Sequence, residues 1–350
     1  MKRLVLTLAA LFLLAVTIAG CGTSAEDKDD RIRVMTSIYP LYDLTKNIGG
    51  DNVLISNIVP SGSEPHSWEP SPKDMADMTK ADVLILSGTG MEPWADKVLA
   101  NIDQSKVTVV YGGKDIALID WSGHEDEEEH DHHNEAHDSD VPEEHSDKHK
   151  EHEHEHDQDE HQDEVTGDGH DHHHSGNDPH VWLDPLNAKI MVDNILEGLI
   201  KADEKNSSVY RANAEAYKKE LDNLHEDFQK GLEGASIKEF VTSHAAFGYL
   251  AKCYGLEQIP VRGLNAESEP SPADMAAIVK LAREKNINYI FFETLVSPKV
   301  SETIAKEVRG ETLVLNPLEG MSDEEMAAGK DYLSVMRENL TNLQKALNVN

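Results

Sequence analysis

The sequence predicts an α/β protein: two βα lobes, each around a mostly parallel sheet, with one long helix between them. Three observations point there. Short β-branched runs alternate with helical patterns twice along the chain, and such alternation builds βαβ units with parallel strands. The segment Glu69-Pro70-Ser71-Pro72-Lys73-Asp74-Met75-Ala76 recurs as Glu269-Pro270-Ser271-Pro272-Ala273-Asp274-Met275-Ala276, matching at seven of eight positions. Between the halves, Tyr210, Ala214, Tyr217, Leu221, Leu224 and Phe228 are spaced by fours and threes, which is one apolar stripe on a helix.

In chain order, residues 1–20 read as an export signal. Lys2 and Arg3 form a basic start, Leu4 to Ala19 an almost unbroken apolar run, and Ile18-Ala19-Gly20-Cys21 a small-residue cleavage site. The run is shorter than the roughly 18 apolar residues that mark a membrane span. Those last four residues resemble a bacterial lipobox, which implies cleavage before Cys21, a lipid on that cysteine, and a short tether over 21–30. The chain has two cysteines. With Cys21 lipidated, Cys253 has no intramolecular partner, so a disulfide scaffold is excluded. Cys253 reads as a small buried apolar residue on a helix.

The first lobe spans 31–185, with strands expected at Ile32–Thr36, Val53–Val59, Val83–Leu86 and Val107–Val110. A helical connection follows over 186–232. Its stripe predicts a helix at Ser208–Gly231, about 35 Å long at 1.5 Å per residue, which is either a stiff strut along both lobes or an ordinary amphipathic surface helix. The second lobe spans 233–350, with strands expected at Phe240–Ser243, Gln258–Val261, Tyr289–Phe292 and Thr312–Leu315. Both copies of the repeated segment carry Ser-Pro, a helix start with serine at the cap and proline at the first helical position.

Residues 124–174 are a different material. They hold 22 acidic residues, two lysines and 15 of the 19 histidines, and so account for −20 of the formal net charge of −34. With almost no apolar side chains, this stretch cannot offset its ordering entropy and is expected to be disordered. Imidazole mixed with carboxylate suits borderline metals. No basic patch exists to hold nucleic acid.

Four histidines remain outside that stretch. His225, beside Leu224 and Glu226 on the long helix, reads as surface. His66 follows the second strand, in Ser63-Glu64-Pro65-His66-Ser67-Trp68. His180 follows the histidine-rich stretch, in Asp178-Pro179-His180-Val181-Trp182-Leu183-Asp184-Pro185. His244 follows the first strand of the second lobe, in Thr242-Ser243-His244-Ala245-Ala246-Phe247. A single histidine is more often structural than a ligand. Three of them, beyond strand ends where open α/β sheets bind ligands, point to metal.

The segments Pro65–Pro72, Asp178–Pro185, Ser243–Leu250 and Leu315–Gly320 carry a resemblance covering essentially the whole chain. It is similar to the zinc-specific substrate-binding lipoproteins of bacterial ABC importers, in the group that also serves manganese. The resemblance implies two lobes joined by the long helix, with Zn²⁺ as transported ligand in the inter-lobe cleft, held by His66, His180, His244 and, at the fourth position, Glu319. Glu293 and water are rivals for that fourth place. Glu64 and Asp178 could support the ligands from behind. Three imidazoles with one carboxylate suit tetrahedral zinc, whereas manganese favours more oxygen. The resemblance further implies an extracytoplasmic monomer anchored to the cell membrane by lipid, with an ABC permease as partner and no enzymatic activity. A hydrolytic zinc enzyme would need an open water position, and no H-E-x-x-H helix or phosphate loop is present. A zinc-buffering or adhesive surface lipoprotein would leave the paired lobes unexplained. Release is expected through small lobe tilts and the withdrawal of one or two ligands, foremost His180, which adjoins the histidine-rich stretch.

Overall fold

The computed structural model describes residues 30–121 and 176–349. The export signal, Cys21 with nearly all of the tether, and the histidine-rich stretch 124–174 lie outside the described residues.

Two four-stranded sheets form, each entirely parallel. In the first, β1 (Ile32–Thr36), β2 (Val53–Asn57), β3 (Val83–Leu86) and β4 (Thr108–Tyr111) lie in the order β2-β1-β3-β4. In the second, β5 (Glu239–Thr242), β6 (Glu257–Pro260), β7 (Tyr289–Phe292) and β8 (Glu311–Val314) lie in the order β6-β5-β7-β8. The two orders are the same with the numbering shifted by four, so the lobes share one topology. Strand β2 ends at Asn57, short of the expected Val59. Ile58 and Val59 stay buried, but the chain is already turning toward the loop that carries His66.

The repeated octapeptide is a pair of capping boxes. Helices α2 (Pro72–Met78) and, in the second lobe, α7 (Pro272–Glu284) both begin with proline after a capping serine. The Ser71 hydroxyl accepts from the Asp74 amide, and Asp74 Oδ2 accepts from the Ser71 amide at 2.9 Å. Ser271 and Asp274 repeat the exchange at 3.2 and 2.9 Å. This satisfies two otherwise orphaned amides in each helix.

Both faces of each sheet are covered. In β3, Val83 and Ile85 point into one core and Leu84 and Leu86 into another, as the two-residue strand period requires. In β7, Phe291 and Ile290 divide the same way. The outer cores are private to each lobe. The inner core is shared: it runs from α1 (Tyr39–Gly49) and α4 (Pro185–Ala202) through the long helix α5 (Ser207–Leu232) to α6 (Gly248–Tyr254) and α10 (Tyr332–Ala346). Helix α5 has 26 residues, about 39 Å at the usual rise. It buries the expected stripe and adds Leu232. Near its start, Asn213 donates to Ile48 O of α1 at 3.0 Å and Tyr217 to Asp43 Oδ2 at 2.9 Å. Near its end, Gln344 of α10 donates to Gly231 O at 3.1 Å. The helix is therefore bonded to both lobes along its length. The short helices α3 (Ala95–Leu99), α8 (Lys299–Val308) and α9 (Asp323–Ala327) complete the covering layers.

Candidate metal centre

The first lobe contributes His66 and His180. His66 sits in the irregular loop after β2, with 12% of its side chain exposed, and its amide donates to Glu64 Oε1 at 3.1 Å. His180 is fully buried. Its amide donates to Asp178 Oδ1 at 2.9 Å, and the same oxygen lies 2.7 Å from His180 Nδ1. Behind it, the Trp182 indole donates to Pro317 O of the second lobe at 2.8 Å, and the Tyr332 hydroxyl to Trp182 O at 2.6 Å. These bonds count against the expectation that His180 is the ligand that withdraws. It adjoins the histidine-rich stretch in sequence, but bonds on both sides hold it. His66 is the partly exposed member, with fewer bonds to the fold.

The second lobe contributes His244 and Glu319. His244 follows β5, where its carbonyl accepts from Thr242 Oγ1 at 2.7 Å and Gln258 Nε2 at 2.8 Å. Glu319 lies in the loop after β8. Leu318 is buried there with φ of 60°, a left-handed conformation that costs a side-chain-bearing residue energy. Asn316 Oδ1 accepts the Leu318 amide at 2.8 Å, and Asn339 of α10 brackets Asn316 with bonds of 2.8 and 2.7 Å. Those two asparagines hold the strained turn that aims Glu319 inward. Sequence reasoning missed both.

The four side chains meet. His66, His180 and His244 offer Nε2, and Glu319 offers Oε1. Glu319 Oε1 lies 2.9 Å from His180, 3.1 Å from His244 and 3.4 Å from His66. His180 Nε2 lies 3.2 Å from His66 and 3.4 Å from His244. Ligand atoms about 2.0–2.1 Å from a tetrahedral ion stand about 3.3 Å apart, so the cluster has the size of such a shell. Among the described residues this is the one group of three or more histidines, cysteines or carboxylates close enough to hold a metal ion.

Glu293, weighed as a rival ligand, stands on the other side of the imidazole. Its Oε2 lies 2.7 Å from His244 Nδ1, and its Oε1 accepts from the Ser243 hydroxyl and, at 3.2 Å, the His244 amide. It stands behind His244 as Asp178 stands behind His180, each leaving Nε2 toward the cluster; the Asp178–His180 contact has hydrogen-bond geometry, whereas Glu293 faces His244 Nδ1 as a close charge without an aligned hydrogen bond. Glu64 is arranged differently, since it meets the backbone of His66 and not its ring. The charges are mutually dependent. Burial pulls the His244 imidazole down, but Glu293 and Glu319 outweigh it and hold its pKa well above the ordinary value. His180 is raised in the same way, burial being overcome by Asp178 and Glu319. Burial alone would raise Glu319, yet the histidines hold it well below the usual carboxylate range.

The remaining residues singled out from sequence lie elsewhere. His225 is half-buried rather than on the surface, with Nδ1 3.1 Å from the Tyr254 hydroxyl. Cys253 is half-buried rather than buried, free, and pushed up to about 12 by burial first and Asp184 second. Among the described residues no helix is long and apolar enough to cross a membrane.

Comparison with known proteins gives a consistent set. Residues 34–346 match the model of the family ZnuA, zinc-uptake complex component A, periplasmic. The chain is 37% identical over 345 residues to the high-affinity zinc uptake system protein ZnuA of Bacillus subtilis, covering 97% of this chain and 96% of that protein. It is 33% identical to the zinc-binding lipoprotein AdcA of Streptococcus pneumoniae over 99% of this chain but 61% of AdcA, so it spans about three-fifths of that relative. Among solved structures, the Zn(II)-bound ZnuA-like domain of S. pneumoniae AdcA superposes with a TM-score of 0.69 at 30% identity, covering 91% of this chain and 99% of that one. The metal-dependent lipoprotein YcdH of B. subtilis does so with a TM-score of 0.70 at 33% identity, covering 91% and 100%.

Proposed function

The chain belongs to the ZnuA family of zinc-uptake components, and on that premise we propose that it captures Zn²⁺ outside the cytoplasm between its two lobes and delivers it to a membrane ABC permease. One observation carries the reading. His66 and His180 from one lobe, and His244 and Glu319 from the other, present three imidazole nitrogens and one carboxylate oxygen with tetrahedral spacing. That donor set suits zinc and disfavours manganese, which prefers more oxygen. Four protein donors also leave no open position for a reactive water, which supports binding over catalysis. With neutral imidazoles and one carboxylate the loaded site carries a net +1, and capture releases protons, because ligating imidazoles must be neutral.

The finer assignments rest on sequence: an export signal over 1–20, lipidation at Cys21, a tether over 21–30, and anchoring at the extracytoplasmic face as a monomer. The division into a first lobe over 31–185, a connection over 186–232 and a second lobe over 233–350 belongs to the same reading. The shared core along α5 supports small tilts between the lobes over wide opening. Exchange then proceeds through His66.

The test is metal analysis and zinc titration of protein lacking residues 123–175, which leaves Gly176 and Asn177 in place. One zinc per chain, bound tightly, is the expected result. Loss of tight binding on that deletion would move the site into the histidine-rich stretch and overturn the assignment. A separate peptide covering 124–174 is expected to bind several zinc ions weakly.

A further inference from the structure

Each lobe carries the same dipeptide across the end of its first strand, Thr36-Ser37 at β1 and Thr242-Ser243 at β5, with the threonine the last strand residue and the serine the first beyond it. In each, the serine hydroxyl donates to a buried glutamate: Ser37 to Glu92 Oε1 at 2.5 Å, and Ser243 to Glu293 Oε1. In the second lobe the next residue is His244, and the glutamate acts on its ring. In the first lobe the next residue is Ile38, which is buried and offers no donor side chain. Glu92 is nevertheless kept as a buried carboxylate, with 8% exposure, and burial raises its pKa despite its hydrogen bonds. An ionisable group in such a place is costly unless its bonds are made.

Its bonds lead to the other buried ligand. Glu92 Oε1 also accepts the Ser87 amide at 2.6 Å, and Oε2 the Gly88 amide at 3.3 Å. This closes the turn after β3, in which Gly88 and Gly90 have φ of 72° and 103°. The Ser87 hydroxyl lies 2.6 Å from Thr89 Oγ1, and Thr89 donates to Pro179 O at 2.9 Å. Pro179 O belongs to the peptide that enters His180, whose amide is held by Asp178 Oδ1 at 2.9 Å. Both polar atoms of that one peptide are thus fixed, the N–H by Asp178 and the C=O by the Thr89 hydroxyl together with the Val181 amide, also at 2.9 Å; the Val181 bond is local to the turn, and Thr89 is the tie to the rest of the first lobe.

We infer that Thr89, locked in its turn by Glu92, is a positioning residue for zinc capture: it sets the plane of the Pro179–His180 peptide and so the direction in which His180 presents Nε2. The two lobes use equivalent glutamates for equivalent ends, one through an imidazole and the other through a turn and a peptide. This inference rests on the zinc-site reading above.

The test is zinc affinity by chelator competition, with the visible spectrum of bound cobalt(II) as a reporter of ligand geometry. Thr89→Val keeps shape and loses the hydroxyl. It is expected to weaken zinc about three- to tenfold, the range of one net hydrogen bond, to alter the cobalt spectrum, and to leave the melting temperature of metal-free protein nearly unchanged. Thr89→Ser restores affinity and spectrum. Ser87→Ala, which removes the donor to Thr89, gives a smaller loss in the same direction. Wild-type affinity and spectrum in Thr89→Val overturn the inference, as does an equal loss in Thr89→Ser. Should Thr89→Val fail to fold, unchanged affinity in Ser87→Ala overturns it. Failure of the unaltered protein to bind zinc would instead remove the functional reading on which the inference stands.

Discussion

Glu293 and Glu319 are both buried beside His244, and substituting each by glutamine separates an orienting carboxylate from a ligand. In Glu293→Gln the amide oxygen can still accept from the Ser243 hydroxyl and the His244 amide. The group facing His244 Nδ1, 2.7 Å away, becomes either an NH₂ that cannot accept a proton or an oxygen without charge. The ring keeps its place but loses the anion that fixes its tautomer and raises its basicity. Groups in this position typically contribute ten- to a hundredfold to metal affinity, about 1.4–2.8 kcal/mol. Glu319→Gln removes the single anionic donor in the cluster, leaves a dipositive ion with neutral donors only, the Asp178 and Glu293 charges standing one imidazole further out, and is expected to cost more than that. Asp178→Asn, acting on His180 across the same 2.7 Å, is expected to match Glu293→Gln. The assay is competition against a chelator of known affinity near neutral pH, with circular dichroism as a check on folding. A loss in Glu293→Gln equal to or greater than that in Glu319→Gln would refute this division of roles and make Glu293 the ligand.

Three further outcomes follow from the geometry. Removing His66, the partly exposed ligand, is expected to speed zinc loss to a chelator, and His180→Ala to abolish tight binding; faster exchange through His180 with His66 intact would reverse that assignment. Asp43 is raised from 3.8 to about 6, first by burial; a carboxyl raised on folding stabilises the fold below its ordinary pKa and loses that contribution as pH rises through about 6, so Asp43→Asn is expected to stabilise metal-free protein by about 1–3 kcal/mol at pH 8 and by nothing near pH 4. An equal melting shift at both pH values would show that its charge is not the cause. Leu221→Ala, at a fully buried position of α5, is expected to cost about 2–5 kcal/mol within a single calorimetric transition, since the core it joins is common to both lobes; two resolved transitions would contradict that continuity.

Much of this was legible in sequence because the patterns are strong ones. Strands β1, β3 and β7 fall where their β-branched and aromatic runs stand, and the others differ by one or two residues at their ends. The octapeptide repeat is legible because a capping box is a local device, complete within four residues. The three cluster histidines stood out through scarcity, being three of only four outside a histidine-rich stretch. The supporting carboxylates did not. Among 66 acidic residues, Glu92 and Glu293 look like surface glutamates until the fold buries them. The faint signal was the Thr-Ser pair across the end of the first strand of each lobe. Asn316 and Asn339 are 23 positions apart, so their bond exists only once α10 packs behind the loop after β8. Cys253, expected to be buried, lies on the last turn of α6 against His225 and Asp184, where helix position and not hydrophobicity decides its exposure.

The chain on either side of residues 122–175 is closed by a small antiparallel contact. Asp120 bridges Asn177, the Trp121 amide donates to Gly176 O, and the Asp178 amide to Ile119 O at 2.9 Å. Two residues past this clasp comes His180. The clasp is made of backbone groups alone, so it fixes where the two ends meet the fold without calling on any particular side chain. Substitution, shortening or replacement of the intervening segment by a reporter is therefore expected to leave tight zinc binding in place, and loss of it with the clasp intact would show that the segment is coupled to the centre.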